Sequence, residues 1–314
     1  MFKRLKSFID RKNGQLNRIE EIHRHLNSSY KSQKINLGQI QIFLNSQRKG
    51  VTRLGDVEFQ VFSQWGDDGI IQYLISKVDL PNKTFVEFGV ENYTESNTRF
   101  LILNNNWSGL VIDGSQVNID YIKADPISWA CELHAECAFI TRDNINSLIC
   151  KAGFEREVGI LSIDIDGNDY WIWDAIDCIE PVIVIAEYNS VFGKNTRWTV
   201  PYDAGFYRGD KHMSNLYYGA SLGALDSLAK KKGYSFVGSN SKGNNAYFIR
   251  NDKLGDLSAV SVSDGYVLSK FREAHVEGKW ITGLDRIKMI EGMMVYDIDL
   301  NDTVKILAGG VQYK

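Results

Sequence analysis

An α/β fold, an open and mostly parallel sheet with helices on both faces, is predicted by three stretches of this 314-residue chain. Residues 84–90 (Thr-Phe-Val-Glu-Phe-Gly-Val) read as a buried strand running into a glycine turn, and residues 109–115 as a second buried strand that ends on Asp113. Residues 158–169 and 181–189 repeat the pattern, an apolar run followed by acids and amides. Strands covered on both faces read as continuous apolar runs, and their alternation with helical stretches implies parallel pairing through crossovers. Ligands of such sheets bind beyond the carboxyl ends of the strands, so the acids there are the first candidates for function.

Residues 1–45 come first and stand apart. A short basic start (Met1 to Ile9) leads to Leu16, Ile19, Ile22 and Leu26 at helical intervals, with a second apolar patch at Ile35, Leu37, Ile40 and Ile42–Leu44. They predict helices for docking or self-association, giving a homo-oligomer, and the basic end permits peripheral membrane contact. The main domain opens with Ser63 as the expected N-cap of a helix through Ile70, Ile71, Leu74 and Ile75, with Gln64 and Asp67 bordering the crevice. A helix broken at Asp125-Pro126, a third strand at Cys137–Ile140 and a helix from Asn146 to Ala152 follow. Tyr234–Gly238 and Ala246–Arg250 read as a closing hairpin after a helix stopped by three lysines and Gly233. The boundaries are therefore 1–50 for the helical extension, 51–254 for the main domain and 255–314 for a C-terminal appendage that includes Phe271-Arg272-Glu273 and a strand near Met294–Ile298.

Within the main domain, Gly89 allows the backbone to pass close to a ligand, and Asp113 sits about 20 residues on, where a strand-end acid accepts bonds from ribose hydroxyls. Asp164 and Asp166 lie two apart on an extended segment, so both point one way, toward one hard cation or one substrate hydroxyl. Glu187 ends the fifth strand in the same crevice as a further metal ligand or general base. The connection from Ser190 to Ser221 is long and aromatic, as a substrate lid is, and His212 within it is a reserve base.

These motifs carry a resemblance. Glu87-Phe88-Gly89 with its acid-ended second strand resembles the S-adenosylmethionine (SAM) site of class I methyltransferases. The longer string Phe85 to Gly89, then Ser96-Asn97-Thr98, then Leu161 to Trp171, is similar to FkbM-like methyltransferases, often found among genes for surface glycans. The similarity spans about residues 59–250. It implies a Rossmann-like seven-stranded class I methyltransferase sheet with helices on both faces, plus the N-terminal helical extension and small C-terminal appendage. It implies SAM on Glu87, Gly89, Glu91, Asn97, Asp113, Ser115, Asp143 and Asp164, and a metal, Mg²⁺, on Asp164, Asp166 and Glu187. Asp164, Glu187 and His212 are its catalytic candidates. Tyr188, Asn189, Arg197 and Tyr218 would line the acceptor pocket, and the acceptor would be a hydroxyl of a sugar or glycan precursor. The chain departs from the pattern at Glu91-Asn92, where a second glycine is usual; asparagine tolerates the left-handed backbone such a turn needs.

Composition bounds the rest. With 44% hydrophobic and 24% charged residues the chain is globular, and a net charge of −3 with a pI near 6.0 gives no electrostatic case for nucleic acid. Four cysteines without metal-ligand spacing suggest reduced thiols in a cytoplasmic protein, and no apolar run is long enough for a transmembrane segment. Two other readings stay open: a metal-dependent glycosyltransferase using Asp164-Ile165-Asp166 as an Asp-x-Asp motif, and a methyltransferase-like scaffold that has lost the cofactor.

Overall fold

The computed structural model describes residues 2–154, 156–270, 274–276 and 278–307, so Phe271-Arg272-Glu273 lies outside the described residues. In chain order the elements are α1 (Phe2–Ser46), α2 (Asp67–Ile75), β1 (Thr84–Phe88), α3 (Arg99–Asn105), β2 (Ser108–Asp113), α4 (Gln116–Ala124), α5 (Ile127–Ala130) and β3 (Leu133–Cys137). There follow α6 (Ile145–Lys151), β4 (Arg156–Ile163), α7 (Asp169–Ala175), β5 (Ile179–Glu187), β6 (Trp198–Thr199), α8 (Arg208–Lys211), α9 (Leu222–Lys231), β7 (Tyr234–Ser239) and β8 (Asn245–Arg250). The C-terminal part adds α10 (Val262–Gly265), β9 (Ala274–Val276), β10 (Lys279–Ile281), β11 (Met294–Asp297) and β12 (Asp302–Lys305).

A seven-stranded sheet in the order β3-β2-β1-β4-β5-β8-β7 forms the frame, with helices on both faces. Side chains alternate across it, as a strand period of two requires. Val86, Phe88, Leu161, Ile163 and Val184 pack on one face with Ile145, Ile172, Trp173 and Leu225; Phe85, Val111, Ile160 and Ile183 pack on the other with Ile70, Leu74, Leu101 and Ile119. The strands β1 to β5 pair in parallel, and β8 is antiparallel to both its neighbours. Thus β7 runs with the first five and only β8 is reversed, as the predicted closing hairpin requires. The crossover helix α9 returns the chain to the starting edge before β7, and only the hairpin turn reverses it.

Two other boundaries move. The third strand is Leu133–Cys137, not Cys137–Ile140, because an edge strand is covered on one face only: Leu133, Ala135 and Cys137 are half-buried while His134 and Glu136 are exposed. The first helix of the domain starts at Asp67 after Gly66; the Ser63 hydroxyl accepts from the Asp68 amide and donates to the Asp68 carboxylate, tying the loop to the helix from outside its cap.

The N-terminal segment is one helix of 45 residues rather than two. Its C-terminal part docks through Ile35, Gly38 and Ile42 against Val61, Phe62 and Phe100, and a Cβ at Gly38 would stand 2.6 Å from the Phe100 ring. Asn45 donates to the Val57 carbonyl at 2.7 Å and completes the anchor. Among the described residues no helix is long and apolar enough to cross a membrane.

The long connection after β5 does not hang free. Its strand β6 pairs with β11, which pairs with β12, and Phe192, Trp198, Leu216 and Tyr218 share a small core with Ala274, Ile290, Val295 and Ile306. Residues of the appendage therefore fix the segment that covers the cleft. The core itself is exacting: Trp173 is 2% exposed and packs against Tyr234 and Phe248 at ring separations of 6.0 and 5.1 Å. Replacing Trp173 by Ala should cost about 3–5 kcal/mol in urea unfolding, and a loss below about 1 kcal/mol would contradict this packing.

Candidate functional site

The register of the sheet aligns the ends of β1, β2, β4 and β5 at one edge, pairing Phe88 with Ile112 and Ile163, and Ile163 with Ala186. Beyond this edge lies a cleft of about 1060 Å³. Gly89 lies at its floor. Its N–H donates to the Ile112 carbonyl at 3.0 Å, its φ is +70°, and a Cβ there would stand 1.6 Å from the Asp164 carbonyl oxygen. Only glycine fits where the first turn crosses β4.

The rest of that turn is held by Asp113. Its Oδ2 accepts from the Glu91 amide at 2.8 Å, and its Oδ1 accepts from the Ser115 amide at 2.8 Å and the Asn118 amide group at 3.0 Å. A carboxylate has about four lone-pair sites, so one stays available to a ligand. The left-handed residues are Glu91 (φ 47°) and Tyr93 (φ 60°), not Asn92, which corrects the sequence expectation. Asn92 instead accepts from the Thr94 amide and hydroxyl. Each left-handed non-glycine residue costs about 1–2 kcal/mol, and the Asp113 bond offsets this at Glu91.

Glu87, the last inward acid of β1, accepts from the Asn97 and Thr98 amides at 2.9 and 3.1 Å and from the Thr98 hydroxyl. Burial nevertheless pushes its carboxyl up to about 7, the three hydrogen bonds opposing the shift. Asn97 also donates to the Ser162 hydroxyl at 3.1 Å, joining the loop after β1 to β4.

Asp164, Asp166 and Glu187 converge, their nearest ligand atoms all within 4.8 Å of one another. Asp166 adopts φ 54°, beyond the end of β4 and not on extended chain as its spacing from Asp164 predicts, and it still lines the cleft. Glu187 Oε2 is buried without a hydrogen-bond partner. Burial, then the neighbouring carboxylates, raises Asp164 and Glu187 well above the usual range. The charge facing them is Arg208 at the start of α8, which donates to Asp166 and stacks 3.6 Å from the centre of the Tyr218 ring. Asp169 anchors the turn below, accepting from the Ile165 and Gly167 amides at 2.9 and 3.0 Å.

Glu87, Gly89, Glu91, Asn97, Asp113, Ser115, Asp164, Asp166 and Glu187 thus share one cleft, as does Gln64, whereas Asp67 turns away to bond Tyr247, Asn240 and Asn245. Six other candidates lie off its lining. Asp143 is exposed in the loop before α6, while the wall there is Phe139 and Ile140. Tyr188 donates to the Val267 carbonyl at 2.7 Å, and Asn189 turns inward to the Leu216 and Tyr218 carbonyls at 2.8 and 3.0 Å. Arg197 pairs with Asp299 at 2.7 Å near the surface. The Nδ1 of His212 bonds the Ser214 hydroxyl at 2.7 Å within a turn off the lining. Tyr218 is buried beneath Arg208 and supports that side chain.

Sequence reasoning missed Phe206, Tyr207, Arg208, Asn215, Asn244 and Asn245 on the lining. The covering segment carries Lys194, Arg197, Arg208 and Lys211, and the structure places Arg208 at the acids, bonded to Asp166 and stacked on Tyr218.

No family model and no curated protein matches the sequence. Some solved structures are similar over part of their course. An S-adenosylmethionine-dependent methyltransferase from Clostridium acetobutylicum is 11% identical, with 58% of this chain and 89% of that chain covered and a TM-score of 0.38. An O-methyltransferase family protein from Burkholderia thailandensis is 9% identical, covering 71% and 58%, at a TM-score of 0.35. The M. capricolum protein TrmK, solved with S-adenosyl-homocysteine, is 10% identical, covering 59% and 70%, at 0.30. These likenesses concern the course of the chain alone.

The raised carboxyl of Glu87 has a defined sign. Its ordinary value is 4.5, so between 4.5 and about 7 the folded chain holds a proton that the unfolded chain releases. Its contribution to stability is complete below that window and is lost as pH rises through it. A carboxyl-¹³C NMR titration should place the Glu87 midpoint near 7; a midpoint in the range of exposed carboxylates would contradict the assignment.

Proposed function

We propose that this chain is a SAM-dependent O-methyltransferase acting on a hydroxyl of a sugar or surface-glycan precursor, with assistance from a divalent cation such as Mg²⁺. One observation carries the reading. Among the described residues the lining holds seven carboxylates (Glu87, Glu91, Glu95, Asp113, Asp164, Asp166 and Glu187) against one cationic side chain, Arg208. Even with Glu87, Asp164 and Glu187 protonated, four of these acids (Glu91, Glu95, Asp113 and Asp166) remain against Arg208, and such a lining suits a cationic ligand better than phosphates. A sulfonium ion with an ammonium group suits it; a nucleic-acid backbone does not, and a nucleotide sugar would need a metal to bridge its diphosphate.

The residues fit both groups. The Gly89 crossing leaves the backbone open to close approach, Asp113 keeps an acceptor for ribose hydroxyls, and Phe139 and Ile140 offer an apolar wall for a base. SAM supplies, when bound, a methyl group on a sulfonium that is already an excellent leaving group. The chain's task is therefore to position the acceptor oxygen in line and to remove its proton. Glu187, when ionised, takes that role through Oε2, while Asp164 orients the hydroxyl. The acceptor's proton would end on Glu187, the methyl group and its leaving group being the cofactor's chemistry. Three converging carboxylates are a hard-donor set for Mg²⁺, which when bound would supply Lewis acidity that lowers the pKa of the hydroxyl, Glu187 Oε2 being kept for the proton. Tyr207, Arg208 and Asn215 border the remaining space and meet the acceptor's other polar groups. Arg208 also holds Asp166 in place.

Calorimetric titration with S-adenosylhomocysteine, with and without Mg²⁺, tests the reading. Micromolar binding weakened at least about tenfold by Asp113→Ala is expected, tenfold being about 1.4 kcal/mol. No binding under any condition, together with a melting shift caused by a nucleotide sugar and Mn²⁺, would replace the methyltransferase by the Asp-x-Asp glycosyltransferase; no response to either would leave the scaffold reading. For the metal, Asp164→Asn and Glu187→Gln should each abolish Mn²⁺ binding seen by water-proton relaxation. Equal binding by these variants would remove the metal from the proposal.

A further inference from the structure

The helix α1 presents two apolar faces, and the domain uses only one. At about 100° per residue, the docked positions Ile35, Gly38, Ile42 and Asn45 share one side. On another side, about 140° away, Ile19, Ile22, Leu26, Tyr30, Leu37, Ile40 and Leu44 fall within an arc of about 80°, a stripe ~38 Å long interrupted only by Gln33. All seven are exposed, from 49% at Leu44 to 64% at Leu26 and Tyr30. The described residues between 17 and 30 are exposed all round, so half of the stripe lies on helix that the domain does not touch.

We infer that this stripe is the interface of an antiparallel homodimer, closed by a second copy of α1. Area is the first argument. Burying these side chains at roughly 100 Å² each covers about 700 Å² per protomer and ~1,400 Å² for the pair, within the range of about 1,200–2,000 Å² for stable interfaces. An exposed apolar patch of that size exceeds what a monomer ordinarily carries. Spacing is the second. Read from either end, the stripe gives nearly the same series, so a two-fold axis between residues 31 and 32 sets Ile19 beside the partner's Leu44, Leu26 beside the partner's Leu37 and Tyr30 beside the partner's Gln33. Gln33 is the one polar residue in the stripe, and this order gives its amide a tyrosine hydroxyl. Placement is the third. The unsupported half of each helix then lies along the anchored half of the other, which places the two domains toward opposite ends of the pair. Two acids, Glu20 and Glu21, lie among the basic residues of the exposed half, which favours a protein partner over an anionic lipid surface.

Sedimentation velocity of the full chain over a wide concentration range tests the proposal. The wild-type chain should run as a dimer, and the double variant Leu26→Glu/Leu37→Glu as a folded monomer with its melting temperature retained, dimer affinity falling by about 100-fold or more. Orientation is read by oxidative cross-linking, with the wild-type chain as the blank for its four cysteines. Leu26→Cys combined with Leu37→Cys should give a covalent dimer that neither single variant gives. A monomeric wild-type chain, a dimer indifferent to the glutamates, or cross-linking by Leu26→Cys alone would overturn it. Co-sedimentation of a monomeric wild-type chain with phosphatidylglycerol vesicles, lost in the double variant, would assign the stripe to a lipid surface instead.

Discussion

The crossing of the Gly89 turn over the carbonyl of Asp164 is the constraint on which the cleft depends. Parallel strands β1 and β4 lie side by side, and the chain leaving β1 must pass over β4 with no room for a side chain, at φ +70°. Once it has passed, the loop is held open by Glu87 from below through Asn97 and Thr98, and by Asp113 from the side through Glu91. Two carboxylates thus act as structural acceptors and still line the cavity. Their double use explains why acids collect at this edge despite their mutual repulsion: each is satisfied by backbone amides before any ligand arrives. Asp164 and Glu187 are different, since burial and proximity raise both and leave one oxygen of Glu187 without a partner. Such an arrangement stores electrostatic cost at one point of the molecule, as functional sites do.

The covering segment shows how the fold completes the site from a distance. Residues 190–221 contain little regular structure of their own, and their order comes from β11, about a hundred residues later in the chain, and from the aromatic core around Trp198 and Tyr218. Arg208 reaches Asp166 only because Tyr218 lies flat beneath it. The C-terminal appendage, which offers no chemistry itself, thereby sets the one cationic side chain of the described cleft.

The sheet was largely legible in the sequence because buried parallel strands print continuous apolar runs, and their terminal acids print where the runs stop. That logic located Glu87, Asp113, Asp164, Asp166 and Glu187 on one edge. It failed where structure is set by partners distant in sequence. The edge strand β3 alternates and has no apolar run, so its position slipped by four residues. Asn189, Arg197 and His212 looked like site residues by type, yet each bonds its own surroundings: the carbonyls of Leu216 and Tyr218, the carboxylate of Asp299 and the hydroxyl of Ser214. Nothing local distinguishes Arg208 from Arg197; their partners do, Asp166 and Tyr218 for the one and Asp299 for the other. The altered turn is a subtler case, since Asn92 looked suited to a left-handed backbone but serves as a hydrogen-bond acceptor, while Glu91 takes the strain under the hold of Asp113.

The account rests on one claim, that the edge built around Gly89 receives the adenosyl cofactor. A crystal structure of the chain grown with S-adenosylhomocysteine tests it most directly. The account predicts the ligand in this cleft, its ribose hydroxyls on Asp113 and its sulfur facing Asp164. Clear density for the cleft without the ligand at saturating concentration, or the ligand bound elsewhere on the molecule, would contradict it.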